Sequence, residues 1–207
     1  MNAAKGDGEN STPFFLPHHP SSFSNLSPGD MLGNWTILSP LGRGGMGEVL
    51  HLRHRVWELE LAAKIPLPTM VASAGGREHF KKEAETWIAL PLHPHVVACH
   101  YVRVFDDVPV IFAEYVPGKN LSEWLRTAPP DIAPRLSLAL QAAYGLLHAH
   151  QNGVIHQDIK PSNILVGPDG ARITDFGIAA VGQARPPQKP DSQQKTWRIS
   201  KIGRAHV

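Results

Sequence analysis

The sequence predicts an α+β fold, in which a small antiparallel sheet carrying one helix is followed by a mainly helical part. Three observations predict it. Short apolar and β-branched runs flank a glycine-rich turn at residues 42–47, which indicates paired strands. Apolar residues recur at helical spacing from Arg77 to Leu90, and again from Pro134 to His150. Strands concentrated before the long helix are typical of α+β proteins.

Five strands are predicted in the first part, and the last two are joined by a turn at Asp106-Asp107. Each strand is a short apolar run that ends near glycine, proline or charged residues. The predicted strands are Trp35–Leu38, Glu48–Leu52, Leu59–Ile65, Val96–Phe105 and Val108–Val116.

Three helices are predicted. The first, Arg77–Leu90, ends at Pro91, and a short second helix covers Leu121–Arg126. A longer helix runs from Pro134 to His150. The residues predicted to line its inner face are Leu136, Leu140, Ala143 and Leu147. We expect that face to need further helices as packing partners.

Length and charge limit the classes of protein. The chain has 207 residues and a formal net charge of +2 at pH 7, enough for one domain with a core. A net charge this close to zero indicates neither nucleic acid nor an anionic membrane as a partner. No apolar run approaches the about 18 residues that cross a bilayer. The single cysteine, Cys99, cannot form an internal disulfide and lies in an apolar run, so we expect a cytoplasmic protein.

The ends of the chain differ in composition from its middle. Residues 1–30 are rich in Gly, Ser, Asn and Pro and are predicted to be a disordered leader. The folded domain is predicted over residues 31–182, and the basic, Pro- and Gln-rich residues 183–207 are predicted to be a flexible tail. A second hypothesis concerns Lys201–Val207, which AAG ATC GGA AGA GCA CAC GTC would encode. That string resembles a common sequencing adapter, so these residues would be translated adapter and not native protein.

The glycine-rich turn is a candidate phosphate site. Because they have no side chain, Gly42, Gly44 and Gly47 allow backbone amides to approach phosphate oxygens closely. A plain glycine-rich hairpin explains the turn equally well. Lys64 ends an apolar strand, where its ammonium needs anionic partners because desolvating it alone is costly.

Two further patterns follow in a fixed order, His156-Gln157-Asp158-Ile159-Lys160-Pro161-Ser162-Asn163 and then Asp175-Phe176-Gly177. Their carboxylate and amide oxygens suit Mg²⁺, a hard cation. With the glycine turn they supply a phosphate cradle, an acidic loop and a second metal-binding aspartate. That is the minimum equipment for transferring the γ-phosphoryl group of ATP.

These three patterns resemble those of the eukaryotic-like, or Hanks-type, serine/threonine protein kinases. The resemblance covers Trp35 to Ile178, and the Gly-Gly-Met-Gly turn is similar to that of bacterial members. It implies a protein kinase-like fold with a complete N-lobe and only the first part of the helical C-lobe. We therefore expect a C-terminally truncated chain that is inactive by itself. The resemblance also allows a membrane anchor in a later region of the parent protein.

The resemblance implies catalytic roles for four residues. Asp158 would accept or orient the proton of the substrate hydroxyl, and Lys160 would contact the γ-phosphate. Lys64 would bind the α and β phosphates while paired with Glu83 on the first helix.

Two other glutamates are alternatives to Glu83, namely Glu78 and Glu85. Glu85 points about 200° away from Glu83 around the helix, so both cannot face Lys64.

The resemblance also implies the nucleotide contacts. Asn163 and Asp175 would bind Mg²⁺, which Mn²⁺ could replace. The glycines at 42, 44 and 47 would cover the phosphates. The carbonyl of Glu114 and the amide of Val116 would bind adenine, behind which the small Ala113 leaves space. The apolar residues that would line the adenine slot are Val49, Ala62 and Leu165.

We therefore expect ATP-dependent phosphorylation of serine and threonine in protein substrates. Two alternatives stay open. A non-catalytic pseudokinase scaffold is disfavoured because Lys64, Asp158, Asn163 and Asp175 are all present. A small-molecule phosphotransferase of kinase-like fold is disfavoured by the Lys160-Pro161 pair.

One position departs from the family. Gln157 stands where the family usually has an arginine that binds a phosphate on the activation loop. A neutral amide cannot form that charged bidentate pair, so the sequence leaves open whether loop phosphorylation controls the protein through this residue.

Overall fold

A computed structural model of the chain describes residues 26–45, 47–127, 131–176 and 180–181. The predicted α+β fold is confirmed within them. Most of the predicted leader, the predicted tail, Met46 of the glycine turn and Gly177 lie outside the described residues.

Residues 26–30, which precede the first strand, contact the sheet. Leu26 packs against the core of the first sheet. The amide of Ser27 donates a 2.8 Å hydrogen bond to the Asp30 carboxylate, and the amide of Gly29 donates to the carbonyl of Ile37. These contacts hold residues 26–30 in a turn against the sheet.

Six strands form the first sheet, one more than predicted. They are β1 (Met31–Leu32), β2 (Trp35–Arg43), β3 (Gly47–His54), β4 (Glu60–Pro66), β5 (Cys99–Phe105) and β6 (Val108–Glu114). Their order across the sheet is β1-β2-β3-β4-β6-β5, and every neighbouring pair is antiparallel. The predicted turn between β5 and β6 is confirmed, and Asp106 and Asp107 both have positive φ there.

Strand β6 is buried on both faces, which explains its continuous apolar sequence. On one face Ile111 joins a core cluster that contains Phe80 and Trp87. On the other face Val110 and Phe112 join the cluster beneath β2 and β3. The sheet therefore separates two apolar layers, and the first of them contains the buried face of a long helix.

That helix is α2 (Ala74–Ile88), which follows the short α1 (Pro68–Val71). It begins three residues before the predicted start because the Ser73 hydroxyl accepts a 3.0 Å hydrogen bond from the amide of Gly76 and caps it. The indole of Trp87 donates a 2.8 Å hydrogen bond to the carbonyl of Val97. This bond fixes the end of α2 against the segment that precedes β5.

Strand β5 starts three residues later than predicted. Residues 95–98 instead run beside a strand from the second part of the chain, β10 (Gly170–Ile173). The amide of Val97 donates to the carbonyl of Ile173, and the amide of Ile173 donates to the carbonyl of His95. These two bonds join the first part of the fold to the second.

The second part carries short strands and two helices. They are β7 (Lys119–Asn120), α3 (Leu121–Thr127), α4 (Ile132–Gln151), β8 (Val154–Ile155), β9 (Ile164–Gly167), then β10, and β11 (Ala180–Val181). One small sheet has the order β10-β9-β7, and β11 pairs with β8. None of the described helices is long and apolar enough to cross a membrane.

The face of α4 that was predicted to need further helices as packing partners is uncovered in the described part of the chain. Leu136, Leu140 and Leu147 are about half exposed, and Ala143 is exposed as well. The residues of α4 that are buried are Leu138, Ala142, Gly145 and Ala149. The helix turns this smaller face inward because it lies close to the 93–96 segment, where a Cβ at Gly145 would come within 2.4 Å of the His95 carbonyl oxygen.

Candidate active site

Lys64 lies at the junction of the two parts of the fold. Its side chain is only 9% exposed, and its ammonium lies 2.6 Å from the Glu83 oxygen Oε1. It also donates a hydrogen bond to the Asp175 oxygen Oδ1. A cation from β4 thus meets one carboxylate from α2 and one that follows β10.

Burial and charge act in opposite directions on this group. Burial lowers the pKa of the Lys64 ammonium, but the carboxylates of Asp175 and Glu83 outweigh it, so the pKa is raised. Burial raises the pKa of the Glu83 carboxyl, and Lys64 opposes only part of that rise. Lys64 is therefore a permanent cation with its charge held in the interior.

Of the three candidate glutamates, only Glu83 faces Lys64. Glu83 is buried, at 3% exposure, because it lies on the same side of α2 as Phe80 and Trp87. Glu85 is exposed and pairs with Lys81, 3.8 Å away. Glu78 is exposed as well.

The loop after β8 holds a second group of polar side chains. The Asp158 oxygen Oδ2 accepts hydrogen bonds from the Lys160 ammonium at 2.6 Å and from the Asn163 side-chain amide at 3.1 Å. The hydrogen bond from Lys160 is the main cause that lowers the pKa of Asp158. Asp158 is half-buried and Asn163 is buried, so the carboxylate is held but still reachable.

His156 holds this loop in place. Its Nε2 lies 3.0 Å from the carbonyl oxygen of Thr174, and its Nδ1 accepts a hydrogen bond from the amide of Asp158. The centroid of its ring lies 4.7 Å from that of Phe176. Gln157 takes a positive φ of 65° and is exposed.

Asp175 is positioned by its neighbours on both sides. The amide of Thr174 donates to the carbonyl of Asn163 at 3.0 Å, which ties the two polar groups together. Phe176 is fully buried against Trp87 and His156. Asp175 itself has a φ of 68°, which turns its carboxylate back toward Lys64.

The oxygen donors fit a Mg²⁺ ion held jointly with phosphates. Asn163 supplies an amide oxygen and Asp175 a carboxylate that is 39% exposed. Among the described residues no group of three or more His, Cys, Asp or Glu side chains could hold a metal by itself. Mg²⁺ in nucleotide sites is commonly bound by one or two protein groups plus phosphate oxygens and water.

The apolar residues considered for the adenine slot come from both parts of the fold. They are all half-buried: Val49, Ala62, Val116 and Leu165. Strand register pairs Ala62 with Ala113, so two small side chains lie next to each other on the same face of the sheet. The Glu114-Tyr115-Val116 segment begins at the last residue of β6.

The three glycines of the turn differ in what surrounds them. A Cβ at Gly42 or Gly44 would have open space around it, so packing does not require glycine at either position. A Cβ at Gly47 would lie 2.3 Å from the carbonyl oxygen of Ile65. Packing against β4 therefore explains Gly47, while Gly42 and Gly44 are left for a ligand that approaches the backbone.

The sequence reasoning missed one contact beside the site. The guanidinium of Arg172 on β10 donates a hydrogen bond to the Glu114 carboxylate. The available signal was an arginine within the otherwise apolar segment Ala171–Ile173. A separate cavity of about 470 Å³ lies between α2 and β5, and its lining includes Glu78 and Glu85, the two candidate glutamates that do not face Lys64.

Comparisons with known proteins agree with this arrangement. Residues 35–198 match the family described as "Protein kinase domain". The chain is 38% identical to a probable serine/threonine-protein kinase, CPE1738, of Clostridium perfringens, over 86% of this chain. It is 35% identical to the serine/threonine-protein kinase PrkC of Bacillus subtilis over 71% of this chain, and 37% identical to PknH of Mycobacterium tuberculosis over 73%.

A crystal structure of the PknI kinase domain of Mycobacterium tuberculosis is similar in fold. It superposes with a TM-score of 0.62 and 30% identity, covering 75% of this chain and 64% of that one. The match covers only 25% of the length of the Clostridium relative, 23% of PrkC and 24% of PknH.

Proposed function

Because the chain belongs to the protein kinase domain family, among bacterial serine/threonine protein kinases of the eukaryotic-like type, we propose that it transfers the γ-phosphoryl group of ATP to proteins. The acceptors are serine and threonine hydroxyls. The nucleotide binds between the two parts of the fold, and the reaction takes place at Asp158.

One observation carries this proposal. Lys64 and Asp175 are 111 residues apart in the sequence, yet their side chains are hydrogen-bonded. A permanent cation suited to phosphate oxygens thus lies beside a carboxylate suited to Mg²⁺. Triphosphate with its metal requires both kinds of group at one place.

In this proposal the phosphates lie between the glycine turn and Lys64. Glu83 keeps the Lys64 ammonium oriented, since it is buried and cannot exchange its partner for water. Asn163 and Asp175 hold Mg²⁺, which when bound neutralises charge on the phosphate oxygens.

Asp158 acts on the acceptor. Its lowered pKa keeps it ionised, so it can accept a hydrogen bond from the substrate hydroxyl and later its proton. Lys160, hydrogen-bonded to Asp158, lies where its ammonium can also reach the transferred phosphoryl group. The adenine ring would occupy the apolar surface of Val49, Ala62 and Leu165.

The proposed localisation is the cytoplasm, where ATP is available. Burial raises the pKa of the Cys99 thiol to about 12, so this cysteine remains an unreactive thiol.

The test uses the full-length protein that carries this chain. Calorimetric titration with ADP and Mg²⁺ measures nucleotide binding, and a parallel titration with Mn²⁺ compares the metals. Transfer from radiolabelled ATP to protein substrates, followed by phosphoamino-acid analysis, measures the reaction. We expect phosphoserine or phosphothreonine with the native protein and none with the Asp158→Asn variant.

Each alternative predicts a different result. A scaffold would bind nucleotide without any transfer by the native protein. A small-molecule phosphotransferase would label small hydroxyl compounds and leave proteins unlabelled. Absence of nucleotide binding would overturn the proposal as a whole.

A further inference from the structure

Arg172 links two segments that the proposed function assigns to different parts of the nucleotide. Its guanidinium donates one hydrogen bond to the Glu114 oxygen Oε1 and a second, 3.2 Å long, to the Asp169 oxygen Oδ2. The Arg172 side chain is only 18% exposed, and that of Glu114 is 31% exposed. The pair is therefore partly shielded from water and from salt.

Glu114 is also tied to the segment before β5. Its amide donates a 2.8 Å hydrogen bond to the carbonyl of Ala98, and its Oε2 accepts a 3.3 Å hydrogen bond from the amide of Ala98. One carboxylate thus binds Ala98 with one oxygen and Arg172 with the other.

These bonds close a ring. Val97, next to Ala98, donates to the carbonyl of Ile173, and Ile173 is the neighbour of Arg172. Glu114 is thus connected to β10 in two ways. One connection runs through Ala98 and Val97, and the other is the hydrogen bond from the Arg172 guanidinium. The backbone supplies every link except the last, which is a pair of side chains.

We propose that Arg172 is a positioning residue, which holds the adenine-binding segment and the metal-binding Asp175 at a fixed separation. The inference rests on the proposed function, since it takes the Glu114 carbonyl as an adenine acceptor and Asp175 as a metal ligand. Asp175 follows Arg172 by three residues and lies just after the end of β10, whereas Glu114 ends β6.

The physical reason lies in how one ligand uses two sites. A nucleotide with its metal gains full affinity only if the adenine contacts and the phosphate contacts form together without rearrangement. When the two segments can move relative to each other, part of the affinity is lost in ordering them. Adenosine, which has no phosphates, does not depend on that separation.

The measurement is therefore a ratio of two affinities in the full-length protein. Calorimetry gives the dissociation constants of adenosine and of ADP with Mg²⁺. The dissociation constant of adenosine divided by that of ADP with Mg²⁺ reports how well both contacts form together. In the Arg172→Met variant we expect the ratio to fall about fivefold or more, with adenosine affinity nearly unchanged. If adenosine and ADP with Mg²⁺ lose affinity by the same factor, Arg172 serves stability alone and the inference is overturned.

Three further variants sharpen the result. Arg172→Lys keeps the charge near Glu114 and should restore the ratio to within about twofold of the native protein. Asp169→Asn removes the other, 76% exposed, partner of Arg172 and should leave the ratio unchanged. Glu114→Gln should lower the ratio as Arg172→Met does, and the double variant should lower it no further.

Failure of the inference is distinguishable from failure of the proposed function. If the native protein binds neither adenosine nor ADP with Mg²⁺, both are overturned. If the native protein binds both ligands but the ratio survives in Arg172→Met and in Glu114→Gln, only the positioning role is overturned. Thermal unfolding of each variant shows that a changed ratio belongs to folded protein.

Discussion

The Lys160 ammonium lies 2.6 Å from the Asp158 carboxylate, in a loop where the two residues are separated by one position. This hydrogen bond is the main reason that the pKa of Asp158 is lowered. The carboxylate therefore stays ionised at a lower pH than a free aspartate does.

Replacing Lys160 with methionine should raise the pKa of Asp158 toward its ordinary value. The ionised base is then lost at a higher pH, so the acid limb of kcat/KM moves to higher pH. A pH–rate profile of the full-length protein measures the position of the acid limb. A drop in rate that is equal at all pH values does not move that limb. Lys160→Arg, which keeps a cation, serves as the control. An acid limb that stays in place in Lys160→Met contradicts Asp158 as the base.

Asp158→Asn and Asp175→Asn should fail in different ways. In the proposed function Asp158 acts on the hydroxyl in the transition state, so its loss should lower kcat by about 10²- to 10⁴-fold with little change in nucleotide affinity. Asp175→Asn removes a proposed metal ligand and should weaken binding of ADP with Mg²⁺. Titrating Mg²⁺ against both variants separates these roles. If Asp158→Asn and Asp175→Asn lost nucleotide affinity equally, the separate roles of the two residues would be contradicted.

Lys64→Met should destabilise the fold as well as abolish phosphoryl transfer. It leaves the Glu83 carboxylate, whose side chain is 1% exposed, without its cation, which costs about 3 kcal/mol or more of unfolding free energy. The double variant Lys64→Met/Glu83→Met should recover most of that stability and still not transfer phosphate. Urea unfolding gives the free energies.

A matched control exists on the surface of the same helix. Lys81 and Glu85 form an exposed pair, and Lys81→Met should change the unfolding free energy by less than about 0.5 kcal/mol. Equal effects of Lys81→Met and Lys64→Met would show that burial of the Lys64 pair is not what stabilises it.

Two glycines of the same turn should respond differently to alanine. Gly47→Ala places a Cβ 2.3 Å from the Ile65 carbonyl oxygen and should lower the unfolding free energy by about 1–3 kcal/mol. Gly44→Ala meets no neighbour, so stability should be kept while affinity for ADP with Mg²⁺ falls. Thermal unfolding with and without nucleotide tests both. A stable Gly47→Ala protein would contradict the packing argument.

What the sequence could predict depended on how locally each feature is determined. Asp158 and Asn163 are five residues apart, and their hydrogen bond is made within one loop. Helix periodicity showed that Glu83 and Glu85 cannot both face Lys64, and the resemblance to the family favoured Glu83. Strands β5 and β6 were also predicted from a local feature, because Asp106-Asp107 between them is a recognisable turn sequence.

The features that were missed depend on distant parts of the chain. The second face of α4, which contains Gly145 and Ala149, was missed because the larger leucines dominate a periodicity argument. The close approach of His95 buries this smaller face. The contact between Arg172 and Glu114 joins residues 58 positions apart, and no local pattern predicts which carboxylate an arginine will meet.

The hydrogen bond between Lys64 and Asp175 also has a consequence during protein synthesis. Ribosomes add about 5–20 residues per second, so Asp175 is made about 6–22 s after Lys64. During that interval Glu83 is available to Lys64, but β10 and the loop after it do not yet exist. The first sheet with α2 can therefore form early, whereas a complete nucleotide site can appear only after the second part has been translated. A nascent chain halted before residue 170 should hence be unable to use nucleotide as a stabilising ligand.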